Sequence, residues 1–230
     1  MIRIQHLQVG GRRIAYRLRP GASSTLVFLP GYASDMEGAK ALALDGFAER
    51  RGLSMLRLDY SGTGSSGGRF EEGTLALWLE EALAAVDQLT QGPLIVVGSS
   101  MGGWIALHLA LLRRERMRAL VGIAAAPDFT AWGFSDGQSA ERQGISREFW
   151  ESGQQLQLLD KEIAIDCPVR LLHGEKDQDV PLDIAFRTMR ALRSANVQLN
   201  VLKGGGHRLS EPHEIDAILR TVDGLLEPAP

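Results

Sequence analysis

A single cysteine, Cys167, stands among 230 residues, so no disulfide can form within the chain and a reducing compartment fits. Lying between Asp166 and Pro168 at the head of an apolar run, it reads as a half-buried strand residue, not a nucleophile. No stretch approaches the roughly 20 uninterrupted apolar residues of a membrane span. The opening residues Met1-Ile2-Arg3-Ile4-Gln5-His6 lack the charged-then-apolar pattern of a secretion signal, and a cytoplasmic location is the expectation. Net charge is only −3, which gives no electrostatic footprint for nucleic acid or anionic lipid. One basic cluster, Arg113, Arg114, Arg116 and Arg118, falls where a helix should end and reads as a dipole-complementing turn. Clustered cysteine and histidine of the kind a zinc site requires are also missing, and no metal or organic cofactor is expected.

What is present is an ordinary globular composition, 44% hydrophobic and 23% charged, in a chain long enough to bury a large core without staples. Two alternating runs, 4–9 and 13–18, flank Gly10-Gly11 and predict a hairpin. The pattern then changes to apolar runs at 26–29, 55–58, 94–97, 119–123, 169–172 and 197–202, as expected of strands buried on both faces of a parallel sheet. Helical periodicity separates several of them. Leu75, Trp78, Leu79, Ala82, Leu83, Val86 and Leu89 fall at three- and four-residue spacings, with Thr74 placed to cap them. Further helices are expected from near Gly102 to Leu111, over 184–192 and over 214–226. The expectation is one α/β domain over 1–230, an eight-stranded, mostly parallel sheet with helices on both faces. Residues 127–166 contain no strand signal but many aromatics, and predict a short helical lid insertion.

G-x-S-x-G occurs three times, around Ser66, Ser100 and Ser135, where chance predicts on the order of 0.2 matches. The bare pattern therefore decides nothing. Its chemistry needs a buried strand before the serine and a helix after it, because the serine must sit on a sharp, strained turn between them. Only Ser100 has both: Leu94-Ile95-Val96-Val97 precedes it and the helix of Trp104 follows. Ser66 lies in a glycine-rich loop and Ser135 in the insertion, while Ser99 reads as a packing residue. Ser100 is the candidate nucleophile.

In such an architecture the acid and then the base follow the nucleophile along the chain. Of five histidines, His173, His207 and His213 qualify. His207 follows the strand ending Val201-Leu202 through three glycines that leave it free to be aimed, at the carboxyl edge where open sheets place their sites. His173 ends a strand and reads as structural, and His213 as a solvated helix start. Glu175, Asp177 and Asp179 share the turn after the preceding strand; the spacing H-G-x-x-D-x-x-V-P favours Asp177, with Asp179 in reserve. Two amides should form an oxyanion hole: Met101, after the nucleophile, and Tyr32, in the turn Leu29-Pro30-Gly31-Tyr32. Phe129, Trp132, Phe134, Phe149 and Trp150 are candidates to line an acyl pocket.

The stretches at 29–41 (LPGYASDMEGAKA), 58–66 (LDYSGTGSS), 97–104 (VGSSMGGW) and 167–174 (CPVRLLHG) resemble the α/β-hydrolase superfamily. Within it they are similar to the palmitoyl-protein thioesterases of mitochondrial type and their bacterial relatives, also described as acyl-glucuronide esterases. The resemblance runs from about Leu26 to the C-terminus and is weakest through the insertion. It implies a serine hydrolase acting on esters or thioesters of medium or long acyl chains, with Ser100, Asp177 and His207 at the positions of the triad. Its partner would be a small-molecule or acylated substrate. A serine peptidase and a non-catalytic ligand receptor on the same fold are the competing readings.

Overall fold

The computed structural model describes residues 2–226; residue 1 and residues 227–230 of the expected single domain lie outside the described residues. The chain opens with a hairpin, β1 (Gln5–Val9) and β2 (Arg12–Arg19). Gly10 and Gly11 turn it with φ of 54° and 81°, the left-handed pair that a two-residue hairpin turn requires. Then come β3 (Ala22–Leu29), α1 (Ala39–Arg51), β4 (Leu53–Leu58), α2 (Leu75–Leu89), β5 (Leu94–Ser99), α3 (Met101–Leu112) and β6 (Met117–Ile123). After the insertion follow β7 (Val169–Gly174), α7 (Leu182–Ala191), β8 (Val197–Leu202) and α8 (Pro212–Asp223). The strands form one eight-stranded sheet in the order β1-β2-β4-β3-β5-β6-β7-β8. Only the pairings of β2 with β1 and β4 are antiparallel.

Side chains alternate along a strand, so each apolar run feeds two cores. Leu26, Phe28, Ile95, Val97 and Val121 pack with Leu44 and Phe47 of α1 and Ile218 and Val222 of α8. Val27, Leu29, Val96 and Leu120 pack on the other face with Trp78 of α2 and Trp104 of α3. Thr74 caps α2 as expected, its hydroxyl accepting the Leu77 N–H at 3.2 Å. The arginine cluster ties helix ends as its charge suggested: Arg114 donates to Leu111 O of α3, and Arg116 to Val86 O of α2.

Three details differ from the sequence reading. Helix α1 was not anticipated, because half of its buried stripe, Ala41, Leu44, Phe47 and Ala48, is alanine. Cys167 is half-buried but precedes β7 by two residues, and burial pushes its thiol up to about 11. The insertion is indeed helical, with α4 (Phe129–Trp132), α5 (Gly137–Arg142) and α6 (Arg147–Gln155), but its tail is extended and bridges Ile163 to Leu192. No helix among the described residues is long and apolar enough to cross a membrane.

Candidate active site

Ser100 is the single residue between β5 and α3, and its φ of 54° with ψ of −122° puts a non-glycine residue in a strained conformation. The surrounding backbone holds it there. Its N–H donates to Ile123 O at 2.9 Å, and its carbonyl accepts from Gly103 at 2.9 Å and Ala126 at 3.1 Å. The flanking glycines are steric requirements: a Cβ at Gly98 would lie 2.2 Å from Gly102 O, and one at Gly102 would lie 2.1 Å from Leu29 O. Neither Ser66 nor Ser135 resembles this. Ser66 is a loop staple that accepts from Ala15 N and donates to Asp59 O, while Ser135 sits in the bend between α4 and α5.

His207 arrives on the loop after β8, with Nε2 3.0 Å from Ser100 Oγ and Nδ1 2.9 Å from Asp177 Oδ2. The loop is not free, contrary to expectation. Its backbone is tied to the Asp177 turn: Lys176 N donates to Gly205 O at 2.8 Å and Gly204 N to Glu175 Oε2 at 2.9 Å. A Cβ at Gly174 would lie 2.4 Å from Gly205 O. The Asp177 side chain is fully enclosed, its Oδ1 accepting the amides of Asp179 at 3.0 Å and Val180 at 2.9 Å. Burial alone would raise its carboxyl pKa, but the His207 hydrogen bond and the Val180 and Asp179 amides outweigh that, and the group is held below the usual carboxylate range. With Asp177 ionised, Nδ1 carries the proton and Nε2 accepts from the serine hydroxyl.

The other candidates separate cleanly. His173 is buried and its Nε2 meets Val180 O at 2.9 Å, the structural role expected; His213 is exposed in the first turn of α8. Asp179 is exposed beside the site. Asp177, Asp179 and His207 bring donor atoms within 4.8 Å of one another, but both Asp177 oxygens and His207 Nδ1 are already occupied by hydrogen bonds inside the group.

Met101 opens α3, so its N–H is among those helix geometry leaves without an intrahelical acceptor. Facing it, the turn of Gly31 and Tyr32 passes so close that a Cβ on Gly31 would lie 3.2 Å from Ser100 Cβ. The turn that carries Tyr32 therefore lies against the serine.

Two cavities meet at Ser100. One is a polar groove of about 520 Å³ bordered by Ser34, Asp35, Lys40, Asp179, Arg208 and Ser210. The second is an apolar pocket of about 220 Å³ lined by Met101, Ala126, Phe129, Trp132, Phe134 and Val180. Phe149 and Trp150 line neither. Phe149 is buried under Tyr32, ring centroids 5.1 Å apart, and against Trp78 at 5.5 Å. Trp150 packs over Gly137 and donates to Thr130 O at 2.9 Å. Phe149 thus anchors the insertion to the main core, while Trp150 packs within the insertion. Val180, Lys40 and Arg208 escaped sequence reasoning because only the folded loops bring them to the serine.

The family described as the alpha/beta hydrolase fold matches residues 24–143. The human protein named palmitoyl-protein thioesterase ABHD10, mitochondrial, is 36% identical over 234 residues, covering 93% of this chain and 76% of the relative. The solved structure of mouse alpha/beta hydrolase domain-containing protein 10 superposes with a TM-score of 0.91 at 33% identity, covering 97% of this chain and 98% of that one. A crystal structure from Agrobacterium vitis S4 gives 0.92 at 35% identity over 99% and 100% of the two chains. The cytoplasmic expectation is overturned by the human, Pongo abelii and Bos taurus relatives, each of which is named as mitochondrial. With the sheet order, the strained serine and these matches in agreement, the chain belongs to the α/β-hydrolase family, in the group of the palmitoyl-protein thioesterase ABHD10.

Proposed function

We propose that this chain hydrolyses carboxylic esters or acyl thioesters through an acyl-enzyme on Ser100, with His207 as general base and Asp177 as its orienting acid. The observation that carries the reading is the unbroken hydrogen-bonded chain from Asp177 Oδ2 through His207 to Ser100 Oγ, at 2.9 and 3.0 Å. Ser100 Oγ attacks the acyl carbon as His207 Nε2 takes its proton, and the Tyr32 and Met101 amides hold the oxyanion. His207 returns the proton to the leaving group, to an alcohol as it departs or to a thiolate once it has left, so the imidazole is neutral again. Water, deprotonated by the same imidazole, then releases the acid and regenerates the serine. Asp177 stays ionised, fixes the tautomer and stabilises the imidazolium.

The two cavities divide the substrate. The apolar pocket suits the acyl group, and the polar groove suits the leaving group. Medium and long acyl chains, of the palmitoyl type in the relatives' name, are the substrate class this reading favours, with acyl-glucuronide-like esters as a second leaving-group type. A fluorophosphonate probe tests it directly. Wild-type protein should be labelled and lose activity, while Ser100→Ala should take no label; labelling of both, or of neither, would refute the assignment.

A further inference from the structure

The apolar pocket is small for a sixteen-carbon chain. A dry cavity of about 150 Å³ holds one benzene, six carbons. On that scale a pocket of about 220 Å³ holds about nine carbons. Its walls are not equally firm. Phe129 is locked by four neighbouring rings, those of Trp104, Phe149, Phe134 and Tyr32, at 5.7, 5.7, 6.3 and 6.4 Å. Trp132 is pinned by its Nε1–H to Pro127 O at 2.7 Å and packs with Val180 and Ile184. Phe134 lies in the link between α4 and α5, is only half-buried, and has Phe129 as its one aromatic neighbour.

We propose that this site selects acyl groups of about six to nine carbons, straight-chain or aryl-alkanoyl, and that Phe134 is the wall that sets the limit. The inference rests on the hydrolase reading above and sharpens its substrate class: the body of a palmitoyl chain has no place within the pocket and must run out past Phe134. Each methylene buried should add about fourfold to kcat/KM until the pocket is full; longer chains must give up pocket contacts to run out past Phe134, and kcat/KM falls.

The test is kcat/KM for nitrophenyl esters and matched acyl thioesters from two to sixteen carbons, kept below micelle-forming concentrations. Wild-type values should climb to a maximum at about eight carbons and fall beyond about ten. Phe134→Ala should move the maximum to longer chains, and Phe134→Trp should move it to shorter ones. Far-ultraviolet circular dichroism and melting curves check that both variants are folded, and the opposite shifts guard against a loss that merely reports damage. Ser100-dependent turnover that keeps rising to sixteen carbons, or a maximum unmoved in both variants, would overturn the inference while leaving the hydrolase reading intact. Absence of Ser100-dependent turnover on every ester and thioester would instead overturn the reading, and the inference with it.

Discussion

Two buried aspartates hold different parts of this molecule together, and their contrast separates the sheet edge from the insertion. Asp177 follows β7 and Asp128 follows β6, and each uses its carboxylate to gather backbone N–H groups. Asp177 binds the amides of Asp179 and Val180, only two and three residues ahead, so it shapes a local turn at the end of a strand. Asp128 binds the amides of Leu158 at 2.9 Å and Leu159 at 2.7 Å, across 30 residues, and so clasps the two ends of the lid. The sheet edge is thus built from short-range turns on parallel strands, whereas the insertion is held by a few long-range ties. Trp104 and His108 of α3 add another, both meeting Leu156 O, at 3.0 and 2.8 Å. Chemistry should depend on the first region and acyl selection on the second.

The largest effects should come from breaking the edge. Ser100→Ala should lower kcat by about 10⁶, and Asp177→Asn by about 10⁴ through loss of the correct imidazole tautomer. Neither should change the relative preference among acyl chains, measured on the residual activity of Asp177→Asn. A reordered preference in that variant would erase the proposed division of labour. Gly102→Ala attacks the same edge sterically. Its new Cβ would stand 2.1 Å from Leu29 O and 2.5 Å from Pro30 O, both backbone atoms of the oxyanion turn, so the strand or helix must shift. A destabilisation of about 3 kcal/mol in urea unfolding is expected, together with loss of turnover.

This contrast also explains what could be read without coordinates. Strand runs and the positions of Ser100, Asp177 and His207 were legible because the residues proposed as the triad follow strand ends, where a local pattern and chain order fix position. The mostly parallel sheet followed from the same alternation of apolar runs, but its strand order did not. Less was legible in the insertion. Five aromatics looked equivalent by composition, yet Phe129, Trp132 and Phe134 line the pocket while Phe149 joins the main core and Trp150 packs within the insertion. Asp128 was passed over although an isolated carboxylate after an apolar strand signals a tie of some kind; its partners lie too far along the chain for periodicity to find. The glycines before His207 were visible, but the backbone bonds that tie their loop to the Asp177 turn were not.

Breaking the lid's clasp should have a smaller effect. Asp128→Ala leaves the amides of Leu158 and Leu159 without their acceptor, at a cost of about 2 kcal/mol. KM for medium-chain esters should rise, while kcat on an acetyl ester should fall less than tenfold. An equal collapse of kcat on all chain lengths would mean that the insertion shapes the triad itself, and the separation of roles would fail.

The finest distinction lies in pH. Burial pushes the Asp128 carboxyl above the usual range, its largest influence, against the lowering effects of the Leu159 and Leu158 amides and of Arg187, and with Asp160 adding to the rise. Asp177 is held below that range. An unfolded aspartate titrates near 3.9. For Asp177, the unfolded chain binds more protons between its folded value and about 3.9, so its stabilisation is complete above that window and is lost as pH falls through the folded value. The penalty of Asp177→Asn should therefore be full near neutrality and fade in strong acid. For Asp128 the signs reverse: between about 3.9 and its folded value the folded chain holds the extra proton, and stability falls as pH rises. Asp128→Asn, which keeps one oxygen acceptor for the two amides, should gain on wild type as pH climbs through that window. Urea midpoints for the three proteins from about pH 2 to 7 measure both trends. If the two asparagine variants diverged from wild type in the same direction with pH, the two carboxylates would not be poised oppositely, and the electrostatic part of the contrast between edge and lid would be lost.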